Sequence, residues 1–231
     1  MKNSLSTLYS LPSTLSSLPP TMADENIYHI TLLRHAESTG NAEKRIQGQM
    51  EFPLSEKGRA QAAALAQRWQ SESVTFDRVI VSPQERAHHT GQIIATALAA
   101  PLELDALWIE RNNGTAAGMR EEEALAIYND VFISPYHPVA ETGEGEWELY
   151  LRAGRAILNI FKNPPGKYLV VSHGGTLNMA LYTILGIAPQ PYHQGPRFRF
   201  ENTTFARFRY YPMRHRWRVD VIGDRAHWQD E

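Results

Sequence analysis

Ile27-Tyr28-His29-Ile30-Thr31-Leu32-Leu33 runs straight into Arg34-His35-Ala36-Glu37-Ser38-Thr39-Gly40-Asn41. An apolar run that stops abruptly at a guanidinium and an imidazole is how a buried strand delivers reactive groups to the carboxyl edge of a sheet. Open α/β folds bind their ligands at that edge. A second run, Tyr168-Leu169-Val170-Val171-Ser172, ends the same way in His173-Gly174-Gly175. Two strands that each terminate in a histidine, 138 positions apart, point to one site assembled from both ends of the domain.

Working outward from these runs, strands and helices alternate from Asn26 onward, the pattern of a parallel sheet covered on both faces. Ser55 in Pro53-Leu54-Ser55-Glu56-Lys57-Gly58 is placed to cap an Ala/Gln-rich helix through Trp69. Phe76 to Val81 reads as the second strand, and Ser82-Pro83 as the opening of a helix with proline at its first position. A short strand is expected near Leu102 to Leu104, and helices over Glu121 to Tyr128, Glu146 to Phe161 and from the 174–175 glycines to Leu185. Thr203 to Tyr211 and His215 to Ile222 alternate strictly around Pro212-Met213-Arg214, which predicts an antiparallel hairpin. The expected fold is therefore a three-layer α/β/α sandwich with a mainly parallel sheet and a C-terminal antiparallel hairpin.

The 231 residues suit one large domain, expected over 23–231, and a 42% hydrophobic content supplies a core. Residues 1–22 differ: Ser, Leu, Thr and Pro dominate, and Lys2 is the only charge. Serines and prolines break every apolar run there, so a disordered leader, or a start called too early with Met22 as the true one, is expected. A net charge of −2 argues against a general binder of nucleic acid or membrane surfaces. No apolar run approaches the ~20 residues of a membrane span, and a cytoplasmic location is expected. The absence of cysteine excludes disulfides, thiolate catalysis and cysteine-ligated zinc.

A phosphate monoester would need, from such a chain, a nucleophile, cations fixed around its non-bridging oxygens and an acid for the departing oxygen. A neutral imidazole is a competent nucleophile at physiological pH, and arginine pairs bidentately with phosphate without deprotonating. His35 is the candidate nucleophile, Arg34 and Arg86 the candidate cations. His173 leads into a helix N-terminus whose free N–H groups favour an anion. The pattern Arg34-His35-Ala36-Glu37-Ser38 with Asn41, Gly48, Pro53-Leu54-Ser55-Glu56-Lys57-Gly58, Ser82-Pro83 with Arg86-Ala87 and Thr90, Glu110 with Gly114 and Gly118, and Ser172-His173-Gly174-Gly175 resembles the histidine phosphatase, or phosphoglycerate-mutase-like, superfamily from about Ile27 to His227.

The resemblance implies that His35 becomes phosphorylated. Arg34, Arg86, His173 and Gly174 would complete the phosphate pocket, with Asn41 at its edge. Glu110 would protonate the leaving oxygen and then activate water, with no metal and no cofactor. The expected activity is a metal-independent phosphomonoesterase on a small phosphorylated metabolite. A phosphoglycerate mutase, which would call on 2,3-bisphosphoglycerate, and a fructose-2,6-bisphosphatase-like activity are the alternatives. A homodimer stays open. Three departures stand out: Arg-His-Ala for Arg-His-Gly, Glu51 for an aspartate before Pro-Leu, and Gly145 where the family's Gly-Glu-Ser has a serine, a hydroxyl expected near the substrate. The arginine-aromatic tail from Arg197 to Arg218 could clamp single-stranded RNA. Period 2 instead puts Ala206, Phe208 and Tyr210 on one face, and Phe205, Arg207 and Arg209 on the other; Trp217, Val219 and Val221 likewise share a face.

Overall fold

The computed structural model describes residues 26–128, 134–191 and 194–228, so the leader expected at 1–22 lies outside the described residues. In chain order the elements are β1 (Tyr28–Arg34), the single-turn α1 (Thr39–Ala42), α2 (Glu56–Ser71), β2 (Arg78–Val81), α3 (Glu85–Ala97) and β3 (Leu102–Leu104). Then come α4 (Glu121–Ile127), α5 (Glu146–Ile160), β4 (Lys167–Ser172), α6 (Gly174–Leu185), β5 (Phe205–Tyr211) and β6 (Arg216–Asp224). They build one six-stranded sheet in the order β3-β2-β4-β1-β5-β6. The first four strands are parallel, and β5 and β6 add the antiparallel hairpin.

Side chains alternate across the sheet and meet a helix layer on each side. Ile30, Leu32, Tyr168, Val170, Ala206 and Phe208 pack with Leu149, Ala153, Ala156 and Ile157 of α5 and Leu177, Ala180 and Leu181 of α6. Leu33, Leu169, Val171, Val79, Val81 and Phe205 pack with Leu65, Ala66 and Trp69 of α2 and Ala87, Ile94 and Ala95 of α3. The central strands are apolar on both faces because both faces are covered. Each fully buried Leu or Val there stabilises by about 1.5–3 kcal/mol relative to exposure.

Three expectations shift on inspection. The second strand starts at Arg78 rather than Phe76, and the Phe76 ring instead packs edge-on against Trp69 at 5.3 Å. Pro83 stands one residue before the N-cap Gln84, so α3 opens at Glu85 and not on the proline. The Gln84 side chain makes no cap bond; the Glu85 N–H is met by Glu51 Oε2 at 2.8 Å, a carboxylate at the positive end of the helix. In the hairpin, the β5–β6 register slips twice, with one extra β6 residue each time: Asp220 between the partners of Phe208 and Arg207, Gly223 between those of Ala206 and Phe205. A bulge reverses which side later residues face. Trp217 therefore packs with the α5/α6 side, Val221 with the α2/α3 side, and Val219 is 41% exposed. They do not share one face.

Candidate active site

Parallel pairing of β1 with β4 puts Arg34 opposite Ser172. The next residues, His35 and His173, are thereby brought to the same level of the sheet edge. The His35 N–H donates to Ser172 O at 2.9 Å, and the Ser82 N–H at the end of β2 donates to Val171 O at 3.0 Å. Three adjacent strand ends thus deliver His35, His173 and Ser82 to one place. The two imidazole rings lie 5.0 Å apart, centre to centre, and both side chains are buried.

His35 Nδ1 lies 2.7 Å from the carbonyl of Ala36. A carbonyl can only accept, so Nδ1 carries the proton and Nε2 keeps its lone pair. Burial is the main cause holding the His35 pKa well below the usual imidazole range, and the Arg86 and Arg34 charges add to it. His173 is depressed for the same leading reason, with Arg86, His35 and Arg34 contributing. His173 Nε2 contacts Ser82 Oγ at 2.8 Å.

The cations are held through their outer nitrogens. Arg34 Nη1 donates to Phe200 O at 2.7 Å; Arg86 donates from Nη1 to Met50 O at 2.9 Å and from Nη2 to Gly48 O at 2.8 Å. Gly48 has φ +52°, which a side chain would strain, and its carbonyl also accepts from Gln84 Nε2 at 3.0 Å. Arg34 Nε, Arg86 Nε and His173 Nδ1 are buried without a hydrogen-bond partner. Buried polar groups are normally paired, so two orphaned guanidinium N–H donors beside the paired histidines mark a place built for an acceptor-rich anion.

Glu110 reaches the same place from the loop after β3. Its carboxylate accepts from the N–H of Gly175 at 3.1 Å, from Thr176 N at 3.1 Å and from Arg111 N at 2.8 Å. It therefore caps α6, while the Gly174 N–H stands ahead of these at the first helical position. Its charge also acts on both Arg34 and Arg86. Asn41 spends its oxygen on the Ser38 N–H at 3.2 Å and on Asn202 Nδ2 at 3.1 Å, which leaves its NH2 end as the donor. All seven residues singled out in the sequence, His35, Arg34, Arg86, His173, Gly174, Glu110 and Asn41, thus belong to this one end of the sheet.

Sequence reasoning passed over several residues that build the site. Asn202 Nδ2 also donates to His35 O at 3.0 Å. Thr90 Oγ1 accepts from Ala36 N at 3.0 Å and donates to Arg86 O. Gln84 accepts from Glu110 N at 2.7 Å. The signal for Asn202 was the polar quartet Glu201-Asn202-Thr203-Thr204 just before a strand. Gly145 is the N-cap of α5, a position where a serine hydroxyl would also cap the helix. Among the described residues, no group of three His, Cys, Asp or Glu side chains is placed to hold a metal ion, and no helix is long and apolar enough to cross a membrane.

Relatives share this arrangement's frame. The chain is 34% identical over 209 residues to a probable phosphoglycerate mutase GpmB of Photorhabdus laumondii, covering 86% of this chain and 94% of that protein. Its fold matches Bacillus stearothermophilus YhfR with a TM-score of 0.75 at 25% identity, over 87% and 98% of the two chains. It also matches an Entamoeba histolytica phosphoserine phosphatase variant in complex with phosphoserine, again at 0.75 and 25%, over 87% and 100%. Residues 30–225 match the model of the histidine phosphatase superfamily, branch 1. With the paired strand-end histidines, the arginines beside them and a sheet of this order, the chain belongs to the histidine phosphatase superfamily, whose members act on phosphate groups.

Proposed function

We propose that the protein is a metal-independent phosphomonoesterase acting on a small phosphorylated metabolite through a phosphohistidine. One observation carries this function: a neutral, buried imidazole whose Nδ1–H is pinned to a carbonyl, with the buried, unpartnered Nε–H groups of two arginines and a second buried histidine beside it. In the first displacement His35 Nε2 attacks phosphorus, the N–P bond forms as the ester P–O bond breaks, and the Glu110 carboxyl gives its proton to the leaving oxygen. In the second, water attacks phosphorus, Glu110 takes the water's proton, and the N–P electron pair returns to Nε2. Arg34, Arg86, His173 and the Gly174 N–H hold the non-bridging oxygens as charge redistributes.

The test is release of p-nitrophenol from p-nitrophenyl phosphate in EDTA, with a rapid quench after 32P-labelled substrate. Wild type should turn over and trap label, and H35A should do neither; turnover by H35A would remove the nucleophile. The relatives called probable phosphoglycerate mutases favour a second reading, return of the phosphoryl group to phosphoglycerate. Interconversion of 3- and 2-phosphoglycerate stimulated by 2,3-bisphosphoglycerate, faster than phosphate release, would establish it instead.

A further inference from the structure

Resting on the acid–base role proposed for Glu110, we infer that Arg152 is the positioning residue for that carboxyl, locked in place by Glu144. Arg152 lies in α5, which packs beside α6 on the same face of the sheet. Its Nη1 donates to Leu107 O at 2.9 Å and Ile109 O at 2.7 Å, and its Nη2 to Glu110 O at 3.2 Å. Nε and Nη2 grip the Glu144 carboxylate at 2.7 and 2.6 Å. A guanidinium has five N–H donors, and these five contacts use all of them. None is left for a substrate oxygen, so Arg152 acts on Glu110 through what it holds and not by touching substrate.

What it holds is the loop's main chain. Three carbonyls from Leu107, Ile109 and Glu110 converge on one cation. Thr176 Oγ1, in the first turn of α6, also donates to Ile109 O at 2.7 Å, and Ser172 Oγ to Trp108 O at 2.7 Å. The loop is thus clamped between the start of α6 and the guanidinium, and the clamp sets where the Glu110 side chain leaves the backbone. Both partners of the ion pair are only 15% exposed at the side chain, and the bidentate geometry fixes the guanidinium plane. Lysine, with three donors on a flexible stem and no fork, cannot reproduce it. Helical spacing puts Arg152 beside Leu149 and Ala156, three residues before it and four after, both fully buried, so its stem is held as well.

An acid misplaced by a mutation should matter in proportion to how badly the leaving group needs a proton. R152A, R152K, E144Q and E110Q are therefore compared with wild type on p-nitrophenyl phosphate, whose leaving group needs little help, and on an alkyl phosphate, whose leaving group needs much. General acid catalysis contributes about 10²–10⁴-fold. R152A and R152K should lose on the order of 10²-fold in kcat/KM on the alkyl ester, with a much smaller loss in kcat/KM on the aryl ester, and E110Q should show the same split; kcat/KM ends at the first displacement and so leaves out the phosphohistidine hydrolysis that both esters share. E144Q, which keeps the stem of the clamp, should follow in milder form and guards against misfolding of the Arg152 variants. If E110Q is selective and R152A, R152K and E144Q lose equally on both esters or not at all, the positioning role is wrong. If E110Q itself is unselective, the acid role of Glu110 fails, and the inference falls with it.

Discussion

Replacing Arg86 separates what its charge does from what its shape does. The side chain is 1% exposed and tied to Gly48 O and Met50 O. After burial itself, its charge is the first-ranked cause that holds both His35 and His173 down. R86M removes one preorganised cation from the developing phosphoryl charge, which should lower kcat/KM by about 10²–10³-fold, or about 2.7–4 kcal/mol. It should also let the imidazoles protonate more easily. The acid limb of kcat/KM, which reports the free enzyme, should then move to higher pH. R86K keeps the charge but not the fork, so its rate should fall while the acid limb stays where wild type has it. Lost charged hydrogen bonds and a relieved buried cation work against each other in stability, so melting should shift by only about 2–4 °C. The assay is a pH profile of phosphate release for the three proteins. An R86M acid limb that coincides with wild type, or a rate loss under about tenfold, would refute the electrostatic account.

Further outcomes follow from other contacts. At Gly58 an added Cβ would sit 1.9 Å from Glu37 O, two residues past His35. G58A should therefore cost about 3 kcal/mol or more, a drop of about 6–12 °C in a calorimetric melt, with a parallel loss of activity. His227 Nε2 meets Thr203 Oγ1 at 2.9 Å, and burial lowers its pKa from 6.5 to about 4. The unfolded chain therefore takes up that proton first as pH falls, so stability is full above 6.5 and drains between 6.5 and 4. H227Q should be less stable than wild type at pH 7 by chemical denaturation, and the gap should narrow on acidification. A constant gap would mean the titration is not linked to folding.

The bulge in β6 and the cap at Gly145 show where a one-dimensional pattern stops. Strict alternation from His215 to Ile222 predicts one apolar face, but an extra residue at Asp220 is an outcome of pairing with β5, and pairing is non-local. Gly145, where the missing serine suggested only a lost hydroxyl near the substrate, is also the N-cap of α5. Arg152 carries no local signature of its role, because it acts on main-chain carbonyls, those of Leu107, Ile109 and Glu110. Any residue supplies a carbonyl, so the partner leaves no trace in the sequence.

Short-range information did settle the strands, the helices and the chemistry-bearing residues at the strand ends. An apolar run buried on both faces, and a guanidinium and an imidazole at its end, depend only on neighbours in the chain. Tertiary structure alone decided that Arg34 registers with Ser172, which sets His35 and His173 side by side with ring centres 5.0 Å apart. It alone decided that their burial beside Arg34 and Arg86 keeps both imidazoles neutral. Solvation and charge fields are sums over everything nearby, and what is nearby is known only once the chain has closed on itself.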